Sequence, residues 1–582
     1  MNKYTFEPQK YTQEITAILG EIMGASKWNK NSLHKILTRF PRDGNSLFSR
    51  DQLLQGLESI EKHTDQVYSQ EIREKIKMKP TRTISGVTPV TVLTKPFPCP
   101  GECIFCPNDV KMPKSYLSNE PGAQRAESNK FDPYLQTYNR LQAFKNIGHN
   151  IEKVELIVLG GTWSFYPKEY KIWFIKRCFD AMNDFGSHDE RANIKTENIF
   201  TNEVSIDPSL RTYNQSINNI VSKHHSTLIG QFEKSSWDEL FESHKINTNA
   251  KCRNVGLVIE TRPDYITPKE IVNLRKLGAT KIQIGIQSLN DDILAANKRG
   301  HNSKQTADAI KLLRMGGFKI HAHWMPNLYG STVKDDIKDY NKLWLKEFEP
   351  DELKIYPTSI IENTPLNDLY NKGMYKPYTY TELLEVLTAT IPITPRYCRL
   401  TRIIRDIPST DIVAGNKLTN FRQIAELNIQ KQGSKCQCIR CREIKSKNII
   451  MSDVELEILS YETSVSTEYF ISFKTIKDDF IVGFLRLMIP LVELSHNHFI
   501  EELQNKAIIR EVHIYGQVVG IGDQKIGKSQ HLGLGSLLIS KAKEIARENH
   551  FDNISVISAI GTQNYYSKKG FTISGLYMTS HT

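Results

Sequence analysis

No stretch of this sequence approaches the ~18 consecutive apolar residues that a membrane-spanning helix needs. The opening residues, "MNKYTFEPQKYTQEITAILGEIMG", lack the apolar core of a secretory signal, and a cytoplasmic location with no membrane contact is expected. Cysteine is scarce: nine among 582 residues, six of them in two tight groups. That usage argues against a disulfide framework and for metal ligation in a reducing compartment. There is no internal repeat. With 39% hydrophobic and 24% charged residues the chain is not broadly disordered. Its length exceeds one ordinary core, so roughly two to four domains are expected.

Acidic residues are in deficit, 65 against 76 Lys and Arg, which leaves a net charge of +11 and suggests a polyanionic partner. The first ~80 residues hold "KWNKNSLHKILTRFPRDGNSLFSRDQ" and "EIREKIKMKPTRT", where Trp28, Phe40 and Phe48 interleave with cations. Phosphate contact combined with base stacking would use that mixture. Apolar periodicity in "YTQEITAILGEIM" and "DQLLQGLESIEK" predicts helices, so residues 1–80 read as a basic, helical, nucleic-acid-binding region.

From about residue 85 short apolar runs alternate with helical patterns: "VTPVTVLT", "VELIVLGGT", "NVGLVIET", "KIQIGIQS", "KIHAHWMP" and "DELKIYPT". That alternation predicts an α/β fold, a parallel barrel or wound sheet over residues 81–395, with reactive groups at the C-terminal ends of the strands. Residues from about 185 to 250 are polar and read as an insertion with some helix. A joint follows at 396–450, and a second α/β unit at 451–582.

Three cysteines, Cys99, Cys103 and Cys106, lie in "KPFPCPGECIFCPNDVK", on a loop that its prolines and Gly101 make stiff. Structural zinc is normally closed by four ligands. Three thiolates instead leave one iron of a four-iron, four-sulfur cluster open, and CxxxCxxC is the radical S-adenosylmethionine (SAM) spacing. Around it, Gly160, Gly161 and Thr162 end one predicted strand, Glu260 the next and Gln287 another, each a candidate SAM contact.

In "SQHLGLGSLLISKAKEIARENHF", the stretch Gln530, His531, Leu532, Gly533, Leu534 and Gly535 precedes an amphipathic helix, where glycines and free N–H groups suit a pyrophosphate. With "REVHIYGQVVGIG" before it and "ISVISAIGTQNYYSKKGF" after it, the pattern is that of GNAT acetyltransferases, which bind acetyl-CoA. Tyr565 and Tyr566 would lie near the thioester or pantetheine arm. At the joint, Cys436, Cys438 and Cys441 suit zinc, which then needs a fourth ligand. Cys398 is nearest in sequence, with His321 and His323 as alternatives.

The motifs "KPTRTISGV", "FDPYLQTYNRL", "KVELIVLGGTW", "IETRPDY", "NKRGH", "RIIRDIP" and "QHLGLGSLL", together with those above, make the chain resemble the Elongator catalytic-subunit family over nearly its full length. It is similar to the stand-alone archaeal and bacterial type, with a fuller "KCQCIRC" group and a longer insertion than eukaryotic members. The resemblance implies a partial radical SAM barrel followed by a GNAT-type domain, acting on the anticodon stem-loop of tRNA at wobble uridine 34. A 5′-deoxyadenosyl radical from SAM would take hydrogen from the methyl of acetyl-CoA. The carbon radical would add to C5 of the uridine across a short gap, and thioester hydrolysis would leave a carboxymethyl group. It further implies catalytic roles for Lys298, Tyr356, Tyr565 and Tyr566, with Arg299 and Lys354 positioning RNA or acetyl-CoA. No obligate Elongator subunit is inferred from the chain, and a monomer or homodimer with an unidentified electron donor is expected. Two other readings stay open: a protein lysine acetyltransferase with a structural iron–sulfur domain, and a tRNA-binding scaffold.

Overall fold

The fold was analysed in a computed structural model, which describes residues 6–29, 31–43, 46–78, 83, 85–186, 212–223, 228–445, 449, 451–515 and 533–582. Among them, no helix is long and apolar enough to cross a membrane.

The strand-sized apolar runs form strands where the alternation predicts them: β1 (Val87–Leu93), β2 (Lys153–Leu159), β3 (Arg253–Thr261), β4 (Lys281–Gln287), β5 (Lys319–Trp324) and β6 (Glu352–Ile355). A short β7 (Ile360–Ile361), then β8 (Arg399–Ile403) and β9 (Ile412–Ala414) follow. Strands β1 to β6 and β8 pair in that order, every pair parallel, into one curved sheet. Parallel neighbours need crossovers, and the helices supply them. Helix Ser303–Met315, for example, starts at an Asn302/Gln305 capping box and buries Thr306, Ala309, Ile310 and Leu313 at helical spacing. A cap of that kind contributes about 1 kcal/mol.

The C-terminal unit has a mixed sheet built from β10 (Val454–Glu462), β11 (Ser466–Thr475), β12 (Ile481–Pro490), β13 (Lys506–Ile514), β14 (Asn553–Val556), β15 (Thr572–Ser574) and β16 (Tyr577–His581). Its order is β10-β11-β12-β13-β14-β16-β15, antiparallel except for the β13–β14 pair. Helix Leu534–Glu548 packs Leu538, Ala542 and Ile545 against it.

One apolar core runs from Ile284 and Ala322 of the parallel sheet, through Cys436 and Ile439 of the joint, to Phe470 and Phe484 of the mixed sheet. The seam also carries a buried ion network. Asp351 takes both amino groups of Arg510, at 2.7 and 2.8 Å, and Arg510 also reaches Glu468 at 2.9 Å. The mixed sheet meets the parallel sheet at the N-terminal ends of its strands: Gly561 lies against Arg253 and Asn254, and Lys319 pairs with Glu511. The N-terminal helices have a separate core of Ile15, Leu19, Phe48, Leu53 and Leu57. Phe48 is therefore a core residue there and is not presented for base stacking, while Trp28 and Phe40 stay partly exposed. The insertion contributes helices Tyr213–Lys223 and Trp237–Asn247.

Candidate active site

The thiol loop sits at the C-terminal end of the parallel sheet. Cys99 Sγ lies 3.7 Å from the hydroxyl of Thr162, just past β2, and Cys106 Sγ lies 3.2 Å from Ser115 Oγ. Arg299 Nη1 donates to Cys103 Sγ at 3.4 Å, and Arg262 Nη1 is 4.0 Å from the same sulfur. A hydrogen bond from Cys106, then the two guanidinium groups, hold the Cys103 thiol well below its usual range. Gly101 carries no Cβ because Arg262 Nη1 occupies that space. The insertion clamps the loop from outside: Cys99 N donates to Asn214 Oδ1 at 2.9 Å, and Asn214 Nδ2 donates to Cys99 O at 2.8 Å. Neither Arg262 nor Asn214 was singled out from the sequence, because both act across more than a hundred residues of chain.

The strand-end residues converge on this loop. Gly160 adopts φ +145°, and a Cβ there would run into Thr94 Oγ1. Gln287 adopts φ +66°, and its buried Oε1 has no hydrogen-bond partner. Glu260 Oε2 accepts from Tyr116 Oη at 3.4 Å, and its Oε1 lies 3.4 Å from His323 Nδ1. His323 Nε2 is 3.0 Å from Gln283 Oε1, which also accepts from Lys354 Nζ. Burial, partly opposed by Glu260, lowers the Lys354 ammonium to about 8. Lys354 lies 5.7 Å from the ring of Tyr356.

Lys298 is the exception. It is exposed and takes no part in the cavity lining; its neighbour Arg299 is the cation that reaches the thiols. The short helix Asp291–Ala296 ends just before them, and Lys298 takes φ +50°, a local geometry that sequence does not dictate.

A cavity of about 1420 Å³ begins at Cys106, Glu260 and Gln287 and runs through the lumen of the curved sheet. Alternate residues of β1, Val87, Pro89, Thr91 and Leu93, line one wall, as strand geometry requires. Its far end is walled by His513, Tyr515 and Tyr566 of the C-terminal unit. Along β3 the cavity is lined from Val255 to Glu260, so its two ends are roughly 15–20 Å apart.

Tyr566 is buried in the mixed-sheet core, whereas Tyr565 is partly exposed and its hydroxyl packs against Gly535. Gly533 begins the helix at φ +69°. Gln530, His531 and Leu532 lie outside the described residues. At the joint, Cys436, Cys438 and Cys441 bring their sulfurs within 4.8 Å of one another. Cys398, expected as a fourth ligand, does not join them: it is buried beneath, and its carbonyl accepts from Ile439 N at 3.0 Å. His321 and His323 are on β5, facing the lumen, and are not in that group either.

Three thiols beside two guanidiniums and an unpartnered Gln287 oxygen fit an iron–sulfur cluster with SAM on its open iron. The fold and this site define a radical SAM protein, and the Radical SAM superfamily signature matches residues 98–342, with the Radical_SAM C-terminal domain at 350–431. The tRNA uridine(34) acetyltransferase of Methanocaldococcus infernus is 37% identical over 86% of this chain and 87% of its own length. For human Elongator complex protein 3 the identity is 32%, covering 88% of this chain and 87% of that protein. The solved structure of the archaeal M. infernus Elp3 with an N-terminal deletion superposes with a TM-score of 0.66 at 33% identity, covering 86% of this chain and 100% of that one. The chain belongs to the Elp3 / tRNA uridine(34) acetyltransferase family.

Proposed function

We propose that this chain is a tRNA uridine-34 modifying enzyme that builds a carboxymethyl group on C5 from acetyl-CoA, with SAM as radical source. The observation that carries this reading is the single cavity joining the thiol loop to Tyr566. Cys99, Cys103 and Cys106 would hold the cluster; Gly160, Gly161, Thr162, Glu260 and Gln287 would receive SAM. Bound there, the pair supplies a 5′-deoxyadenosyl radical. The mixed sheet, with its one parallel pair and the Gly533-started helix, supports a GNAT-type acetyl-CoA module. The acetyl end of the pantetheine arm would enter the lumen. Tyr356 and Lys354, on and just past β6, would meet the acetyl group or the uracil along that route.

The joint's three cysteines would hold a structural zinc, with the fourth ligand from outside the cysteine set. The N-terminal helices and the net charge of +11 support an anticodon stem-loop as the substrate bound outside the lumen. A lysine acetyltransferase would need no lumen to a thiol loop, and a scaffold would need neither thiols nor the Gln287 oxygen.

Anaerobically purified protein, given tRNA, SAM, acetyl-CoA and a reductant, is expected to release 5′-deoxyadenosine and yield carboxymethyluridine by mass spectrometry. Acetylation of a peptide without SAM, and no nucleoside product, would overturn the reading. Cys103→Ser is expected to abolish 5′-deoxyadenosine formation and leave tRNA affinity within about twofold, checked by filter binding, because the Cys103 thiol lies apart from the N-terminal helices.

A further inference from the structure

Strands β13 and β14 pair only from Lys506/Asn553 to Ile509/Val556. One more bond, Ile557 N to Ile509 O at 3.2 Å, closes the ladder, after which β13 continues to Ile514 with no β14 partner among the described residues. Two parallel strands that part this way leave backbone N–H and C=O groups free to meet an extended ligand. The wedge opens into the lumen cavity, with Val512 and His513 on one side and Ile557, Ala559 and Tyr566 on the other.

The imidazole of His513 is fixed there by aromatic contacts. It stacks on Phe484 at 5.9 Å between ring centres and lies 4.3 Å from Tyr515. Its Nε2 is buried and has no hydrogen-bond partner. The charged groups around the ring are already paired with one another: Glu511 with Lys319 and Arg486, and Arg399 with Glu443 at 2.9 Å. Burial, with Lys319 and Arg399 adding to it and Glu511 opposing, lowers the His513 imidazolium to about 4, so the ring is neutral at physiological pH. A neutral imidazole with one open nitrogen, facing a cavity, is the equipment of a general base.

Resting on the acetyl-CoA reading above, we infer that His513 is the base that hydrolyses the acyl thioester. Its Nε2 takes a proton from a water molecule whose oxygen attacks the acyl carbon. A C–O bond forms and the C–S bond breaks. The imidazolium then returns the proton to sulfur, giving a carboxylic acid and the CoA thiol. No electrons are gained or lost, so the step needs no oxidant.

The test uses the full chain, loaded anaerobically, as wild type, His513→Gln and His513→Ala, with SAM, acetyl-CoA and tRNA. Thiol release, 5′-deoxyadenosine and tRNA mass are read from the same samples, and acetyl-CoA protection against melting verifies that each variant is folded. Thiol release is expected to fall about 100-fold or more in both variants, the usual span for a lost general base. 5′-Deoxyadenosine should still form, and added imidazole should partly restore His513→Ala. Wild-type thiol release should be flat between about pH 6 and 8, because a group that titrates near 4 is already in its base form there. Thiol release in either folded variant within about threefold of wild type, beside normal 5′-deoxyadenosine, would overturn the assignment. Absence of 5′-deoxyadenosine and thiol release in the wild type overturns the acetyl-CoA reading itself, and the assignment falls with it.

Discussion

At the scale of single residues, the thiol loop is held by partners distant in sequence. Asn214 makes two hydrogen bonds to the backbone of Cys99, one accepting and one donating. Asn214→Ala removes both bonds, at a cost of about 1–3 kcal/mol if the groups stay dry. Iron and labile sulfide per chain are expected to drop at least twofold in that variant, with 5′-deoxyadenosine formation falling in proportion; full cluster occupancy would show that the clamp is idle. The cysteines, the Gly160-Gly161-Thr162 strand end, Glu260 and Gln287 were legible because each is a local pattern at the end of an apolar run. Asn214, Arg262 and His513 were not, because what marks them is a partner, or the lack of one, that only the folded chain creates. Lys298 and Arg299 show the limit most sharply. Two adjacent cations follow one short helix, and the backbone turn alone decides which of them faces the thiols.

At the scale of elements, the runs read as strands became β1 to β6, and in β1 and β2 fully buried residues alternate with half-buried ones, as a sheet with helices on one face and the lumen on the other requires. The polar insertion gave weaker signals, since its helices are stabilised by what they cover: Asn247 bonds to Asn183 at 2.8 Å and Ser243 to Asp180 at 2.6 Å. The glycine-started helix of the C-terminal unit carries a distinction that sequence could not draw. A Cβ on Gly533 would meet nothing within 4 Å among the described residues, and its φ of +69° is the constraint seen there. Gly533→Ala is therefore expected to lower stability by about 1–2 kcal/mol through left-handed strain. If a pyrophosphate sits against that turn, acetyl-CoA affinity should fall about tenfold beyond what the strain explains, measured by calorimetry on the folded variant; unchanged affinity would place the pyrophosphate elsewhere.

At the scale of the whole molecule, the two sheets are joined by charges that are largely buried, Asp351 and Arg510 completely so. Asp351 faces Arg510 and Arg486, Glu352 faces Lys281 and Lys319, and Glu511 faces Lys319 and Arg486. Burial alone would raise all three carboxyls, but these cations outweigh it and hold each below its usual range. A depressed carboxyl contributes stability that is fully present above its unfolded value, about 3.9 for Asp and 4.3 for Glu, and that is lost as pH falls through the folded value. The urea midpoint is therefore expected to drop steeply below about pH 4 as these carboxyls take up protons, after an earlier decline below about 6.5 from buried neutral histidines such as His244 and His513, which the unfolded chain protonates first. Asp351→Asn leaves two arginines buried without their carboxylate and should cost about 3–5 kcal/mol at neutral pH. Its acid decline should also be shallower, since one of the titrating groups is gone. Because the core is continuous across the seam, tryptophan fluorescence of the parallel sheet and near-ultraviolet signals from the mixed sheet should lose intensity together in both proteins. Two separated transitions, or an unchanged midpoint in Asp351→Asn, would mean that the lumen's two ends are not held in register by this network.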